Sequence, residues 1–290
     1  MEAHIASQSY GKSKVRLTKV VPSGAAQDWH DVYEFAVDIL LYGDFEASYT
    51  DGDNSKVVAT DSQKNTVYVL ACESEFDSPE AFALILANHF VGTYEQVSGA
   101  QVNIHQSLLN RIDVDGQPHP HAFTGGTSEK RYACCDISEQ GASLTGGIVG
   151  LQVLKSAGSA FVDFVEDRYR TLADTRKRIF ATSIDAKWSF ADGDSAEQAN
   201  SSHDAVRKAL VKTFAEHYSL AVQQTLYEMG GAALEATEAI NRIDLSMPNQ
   251  HRVPFDLTPF GLENKAEIFV TTDEPAGQIN GSIVRKKPTE

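Results

Sequence analysis

No stretch of this 290-residue sequence stays apolar for long. The longest runs, such as Ile39 to Tyr42, fall far short of the roughly 20 residues that cross a membrane. The opening segment, MEAHIASQSYGK, lacks the apolar centre of a secretory signal. A soluble, intracellular protein with no membrane partner is expected. Cysteine is scarce: Cys72 and the adjacent Cys134 and Cys135 are an odd number, in segments that alternate like strands, and read as structural thiols. Positive charge is also short, with 25 Lys and Arg against 40 Asp and Glu and a formal net charge of -15. Such a surface repels nucleic acid and anionic membranes, so neither is an expected partner. A small anionic ligand remains open, because one buried arginine reverses the field locally. The sequence has no GxSxG elbow, no GxGxxG fingerprint and no HExxH helix, which removes the commonest hydrolase, dinucleotide and metalloprotease readings.

Several segments approach a known motif without meeting its requirements. ASQSYGKS has a relaxed phosphate-loop spacing with Ala6 in place of the first glycine. Such a loop needs a strand before it and a helix after it, whereas only five residues precede Ala6 and VRLTKVV behind it alternates like a strand. DGDNSKVVATDS and DVDGQPHPHAFT resemble calcium loops, but Lys56 stands where the first needs glycine, and Ser62 and Thr124 replace the twelfth-position glutamate. His119 and His121 would share one face of a strand and could give two metal ligands, with no obvious third nearby.

What is present is an alternation of strands and helices. Hydrophobic residues make up 42% and charged residues 22%, and no segment has the composition of a disordered tract. Val15 to Val21 and Val32 to Tyr42 alternate like strands, the second placing Tyr33, Phe35, Val37, Ile39 and Leu41 on one face, with PSGAAQD as the turn between. Thr66 to Ala71, rich in Val and Tyr, reads as a further strand. Residues 78–97 read as a helix, capped by Ser78, opened by Pro79, and carrying Phe82, Ile85, Leu86 and Phe90 on one face. Gln101 to Ile112 is strand-like, and Asp115-Gly116 signals a hairpin into a strand through HPHAF. GASLTGGIVG then interrupts the pattern, after which the order recurs: strands around Phe180 to Phe190, helix from about Asp204 to Ala239, strands around Arg242 to Leu257 and Glu267 to Thr271. Gly230-Gly231 inside that helical stretch predicts a break or kink. The expected organisation is two units of like element order, residues 1–140 and 141–290, within one continuous domain.

Six segments together resemble the urate oxidase family: YGKSKVRLTKV, VVATDSQKNTVY, DVDGQPHPHAF, LKSAGSAFVDFVEDRYRTL, AVQQTLYEM and SMPNQHRVPFDLTPFGLENKAEIFVTTDEPAG. They occur in family order and span nearly the whole chain. The resemblance implies an α+β T-fold, in which two tandem antiparallel sheet and helix units form a β-barrel on dimerisation and two barrels stack as a homotetramer. It also implies cofactor-free oxidation of urate by O2 and water to 5-hydroxyisourate and hydrogen peroxide, at sites shared between subunits. Lys12 and Thr60 would then form a proton relay with His251, and Thr60 and Asp61 would serve a substrate held mainly by the neighbouring chain. Phe161 would stack on the purine beside Leu172. Arg178, Gln223 and the backbone of Val222 would grip its polar edges, and Asn249 and His251 would face the oxygen and water side.

The residue types suit that chemistry. Urate is a flat anion, so an arginine fork can donate two parallel hydrogen bonds while a glutamine matches an edge with donors and acceptors. A phenylalanine face fixes the ring plane with few torsions to lose. A threonine hydroxyl is a poor base alone and a lysine needs burial before it can help, hence the pairing; histidine titrates nearest neutrality. ADTRKR holds two arginines, and a shift in register would make Arg176 the ligand in place of Arg178. The terminal VRKKPTE lacks a Ser-Lys-Leu address, which favours a cytoplasmic protein. Two alternatives stay open: a zinc-dependent T-fold enzyme acting on a purine or pterin, to which only the histidine pair points, and a purine-binding protein without catalysis.

Overall fold

A computed structural model of the chain describes residues 3–24, 28–191 and 196–286. The centre of the PSGAAQD turn and the last four residues of VRKKPTE lie outside the described residues. The chain divides into two compact units, residues 1–147 with 189–201, and residues 148–188 with 202–290.

The first unit is built on four strands in sequence order, β1 (Tyr10–Ser23), β2 (Trp29–Gly43), β3 (Val97–Val114) and β4 (Gln117–Ser138), each antiparallel to the next. Alternation in β2 does what it predicts: Phe35, Val37, Ile39 and Leu41 are almost wholly removed from solvent. β3 turns into β4 through Asp115 and Gly116 alone, with Val114 opposite Gln117. Both turn residues adopt positive φ, 53° and 79°, the geometry that makes Asp-Gly a hairpin signal. A short helix, α1 (Glu46–Thr50), precedes α2 (Thr60–Glu73) and α3 (Pro79–Thr93). Helix α3 starts as its sequence predicts, with Ser78 Oγ accepting from the Ala81 N–H at 3.2 Å and Pro79 at its first position. Its buried Phe82, Leu86 and Phe90 face β3 and β4. Under it Glu80, fully buried, takes a two-pronged pair from Arg131 of β4, Nη2 to Oε2 at 2.7 Å and Nε to Oε1 at 3.3 Å.

Two readings of local sequence are corrected. Thr66 to Ala71 is the middle of helix α2, not a strand. Valine and tyrosine favour strands locally, but Gln63, Val67 and Ala71, four apart, form one buried stripe while Tyr68 and Val69 face solvent, so burial at the helical period overrides propensity. Cys72 is therefore an exposed helical residue rather than a strand residue. GASLTGGIVG is no interruption either: it opens β5 (Gly141–Lys155), whose Leu144, Ile148 and Leu151 are buried.

β5, which belongs to the second unit from Ile148 onward, neighbours β6 (Phe180–Phe190), followed by β7 (Ile240–Ser246) and β10 (Asn280–Val284). A two-stranded extension, β8 (Asn249–Pro254) with β9 (Phe269–Gly277), branches where β8 pairs with Ala181 and Thr182 of β6. Helices α4 (Ala199–Glu216) and α5 (Val222–Ala236) accompany these strands, α5 lying on β7 and β10. The expected break at Gly230-Gly231 is absent, and α5 runs through both glycines. Gly230 is there for proximity: a Cβ would come within 2.7 Å of the Ile283 side chain on β10. No helix among the described residues is long and apolar enough to cross a membrane.

Candidate active site

The end of β5 does not lead straight to β6. Between them residues 156–179 run with little regular structure, yet their base is tied: Phe161 and Thr175 exchange both backbone hydrogen bonds, at 2.8 and 2.9 Å, and the Arg178 N–H donates to Ser159 O at 3.0 Å. Just before α5 begins, the Ala160 N–H donates to Ser219 O at 2.8 Å and the Ser219 N–H donates to Gly158 O at 3.0 Å. These ties bring the aromatic ring of Phe161, the guanidinium of Arg178 and the first turn of α5 to one place. They line a cavity of about 550 Å³ together with Leu172, Val222, Gln223, Asn249 and His251.

Its chemistry can be read from the donors. Arg178 Nη2 donates to Asn249 Oδ1 at 3.0 Å, and the guanidinium also lies near the rings of Phe161 and Phe180, at 5.9 and 5.2 Å from their centroids. Arginine can only donate, so the asparagine oxygen faces it and the amide nitrogen faces His251, 3.3 Å from Nδ1. Nδ1 of His251 is then the acceptor, and the ring proton sits on Nε2. Asn249 and His251 are two apart on β8, hence on one face of the strand. Burial pulls the Arg178 pKa below its ordinary value, but an arginine stays charged even so. The start of α5 also lines the cavity, and its cap, Ala221, supplies no side-chain bond. The first N–H groups of a helix have no partner within it, so Val222 and Gln223 offer backbone donors and the positive end of the helix dipole to the cavity. One aromatic face, one cation and a row of N–H donors suit a flat, polar anion.

Sequence reasoning missed part of the lining. Ile179, Phe269 and Ile279 add apolar wall, and isolated hydrophobic residues in or beside strands carry no signal that separates wall from core. Arg176 is exposed and is not in the lining, whereas Arg178 is.

Lys12, Thr60 and Asp61 are not in that lining; all three belong to the first unit. Lys12 is half-buried on β1, opposite Ile39 and just before an irregularity at Lys14, where φ is 56°. Thr60 and Asp61 open α2. The two segments are joined by Tyr10, whose hydroxyl accepts from the Val58 N–H at 2.8 Å and donates to Val58 O at 3.3 Å. Asp61 bonds to Lys64 and Asn65, and these bonds, then the nearby charge of Lys12, hold its carboxyl below the usual range.

His119 and His121 do lie ring against ring, 4.6 Å apart, with His30 at 5.9 Å from His121. Among the described residues no three His, Cys, Asp or Glu side chains are arranged to hold a metal ion.

The strand and helix order is that of the α+β T-fold class. The Uricase family model matches residues 8–136 and 144–280, and the chain belongs to that family. It is 42% identical over 286 residues to the uricase of Arthrobacter globiformis, covering 97% of this chain and 90% of that protein. It is 38% identical to the uricase of Aspergillus flavus, covering 95% of each. The crystal structure of the Arthrobacter globiformis protein superposes with a TM-score of 0.92 at 40% identity, over all of this chain and 98% of that one.

Proposed function

We infer that the cavity lined by Phe161, Arg178 and the start of α5 is where the chain, as a urate oxidase, binds urate and commits it to reaction with O2. The overall change balances as urate, O2 and water giving 5-hydroxyisourate and hydrogen peroxide. The observation that carries this reading is the hydrogen-bonded series Arg178, Asn249, His251 beside an aromatic face in one cavity. Arg178 and the α5 amides neutralise and orient the anion, Gln223 reads an edge with both donors and acceptors, and Phe161 with Leu172 sets the ring plane. Oxygen accepts an electron only from an electron-rich ring, so a further proton must leave urate first. Thr60 relays that proton with Lys12, and His251, held through Nδ1 by Asn249, exchanges protons with water through Nε2 on the oxygen side.

Thr60, Lys12 and Asp61 reach the substrate from a second copy of the chain, in a homotetramer. Two features support this. None of the three lines the cavity, and Leu172 and Val253, which do, are 60% and 52% exposed in the single chain, apolar surface suited to a neighbour. The test is to incubate purified protein with urate and follow urate absorbance, oxygen uptake and peroxide together. One O2 consumed and one peroxide formed per urate is expected, and urate loss without oxygen uptake would overturn the reading.

A further inference from the structure

The Phe161 ring does not stand alone. Phe164 lies parallel to it, with centroids 4.6 Å apart and planes 12° apart, so one face of Phe161 is taken and only the other can receive a ligand. On Phe164 in turn rests the guanidinium of Arg170, 4.0 Å from its centroid. Arg170 uses its donors all round: Nη1 to Phe164 O at 3.3 Å and Glu166 Oε1 at 3.2 Å, Nη2 to Asp174 Oδ1 at 2.6 Å, and Nε to Leu172 O at 3.1 Å. These partners lie within residues 164–174, inside the excursion tied off by the Phe161 and Thr175 backbone pair.

Such a hub has a consequence for the cavity. A loop without helix or strand bonds has little to fix the tilt of its rings, yet stacking a planar ligand requires that tilt to be fixed beforehand. Arg170 holds the Phe164 ring by its flat face and the Phe164 backbone by its carbonyl. Through the Leu172 carbonyl it also holds the second apolar wall residue. Its side chain is only 19% exposed, but Glu166 and Asp174 are 87% and 45% exposed, so the hold comes less from charge than from the planar fork, which matches all these partners in a way an ammonium cannot.

We propose that Arg170 is a positioning residue for substrate, clamping Phe164 beneath Phe161 and so setting the plane on which the purine stacks. This rests on Phe161 being the stacking platform, as inferred above. The test measures urate affinity without oxygen, which isolates binding from chemistry, with kcat, KM and Tm determined alongside. Arg170→Gln is expected to weaken urate binding about three- to ten-fold, the range of a partly desolvated cation and ring contact, and to raise KM more than it lowers kcat. Arg170→Lys keeps the charge and loses the plate, and is expected to shift affinity in the same direction. Phe164→Leu should weaken binding, Phe164→Tyr should restore it, and adding Arg170→Gln to Phe164→Leu should cost less than Arg170→Gln costs in the parent, because the guanidinium acts mainly through that ring. Equal losses from Arg170→Gln in both backgrounds, or a lower Tm with unchanged affinity in both Arg170 variants, would overturn the proposal. Phe161→Leu separates the two levels: if it leaves urate affinity intact, the platform reading itself fails; if it weakens binding while the Arg170 variants do not, only the clamp fails.

Discussion

Replacing Arg178 tests the site most directly. Its guanidinium is half-buried against Phe180 and donates through Nη2 to Asn249, which leaves Nε and Nη1 to meet a ligand in the cavity. Two charge-assisted hydrogen bonds to an anion are worth about 1.5 to 3 kcal/mol each before losses, and removing the donor also orphans Asn249 Oδ1. Part of this is offset because the cation no longer has to be kept desolvated, so about 3 to 4 kcal/mol remains for Arg178→Gln. That corresponds to an affinity about a hundred- to a thousand-fold weaker. Arg178→Lys keeps the charge but not the fork and should sit between, about ten- to a hundred-fold weaker. Arg176, exposed and outside the lining, is the control: Arg176→Gln should leave affinity within about two-fold. The assay is urate binding under anaerobic conditions beside steady-state oxygen uptake. If Arg178→Lys binds urate as tightly as the parent, or if Arg176→Gln weakens binding as much as Arg178→Gln, the assignment of the anion site is refuted.

The proton relay gives the opposite kinetic signature. Lys12→Met and Thr60→Ala should lower kcat by about a hundred-fold or more while anaerobic urate affinity changes little; a loss confined to affinity would mean that these residues only hold substrate. In α5 two adjacent glycines should respond with opposite sign. Gly231 has open space where a Cβ would go, so Gly231→Ala should stabilise by about 0.5 to 1 kcal/mol, whereas Gly230→Ala meets Ile283 and should destabilise by about 1 kcal/mol or more, both read from Tm. The thiols should differ too. Burial pushes the Cys135 thiol up to about 12, and it is inaccessible, while Cys72 is exposed on α2. A thiol reagent should therefore label Cys72 in the native protein and leave Cys135 unlabelled, even at pH 9, until the protein unfolds, checked by peptide mass mapping. Labelling of Cys135 in the native protein at pH 9 would contradict its burial.

Local rules carried the elements whose cause is local. Ser78 and Pro79 announce α3, Asp115-Gly116 announces its hairpin, and alternation marks the buried face of β2, because caps, turns and the strand period each depend on a few neighbouring residues. The sequence also determined the family, since six segments in order are specific where any one is weak. Propensity failed at Thr66 to Ala71, at the start of β5 and at Gly230-Gly231, where the deciding fact was what each segment would bury against. The site divides the same way. The residue types for a purine anion were legible and the family resemblance put Arg178 ahead of Arg176, but what excludes Arg176 from the lining is tertiary: the backbone bonds of Ser159 and Thr175 turn the chain so that only Arg178 faces the cavity. Nor could the sequence show that Asn249 presents its oxygen to Arg178 and its amide to His251, or that Arg170 gathers Phe164, Leu172 and Asp174 around itself. Those are hydrogen bonds between residues brought together by folding, and their geometry exists only once the strands and loops that carry them have closed on one another.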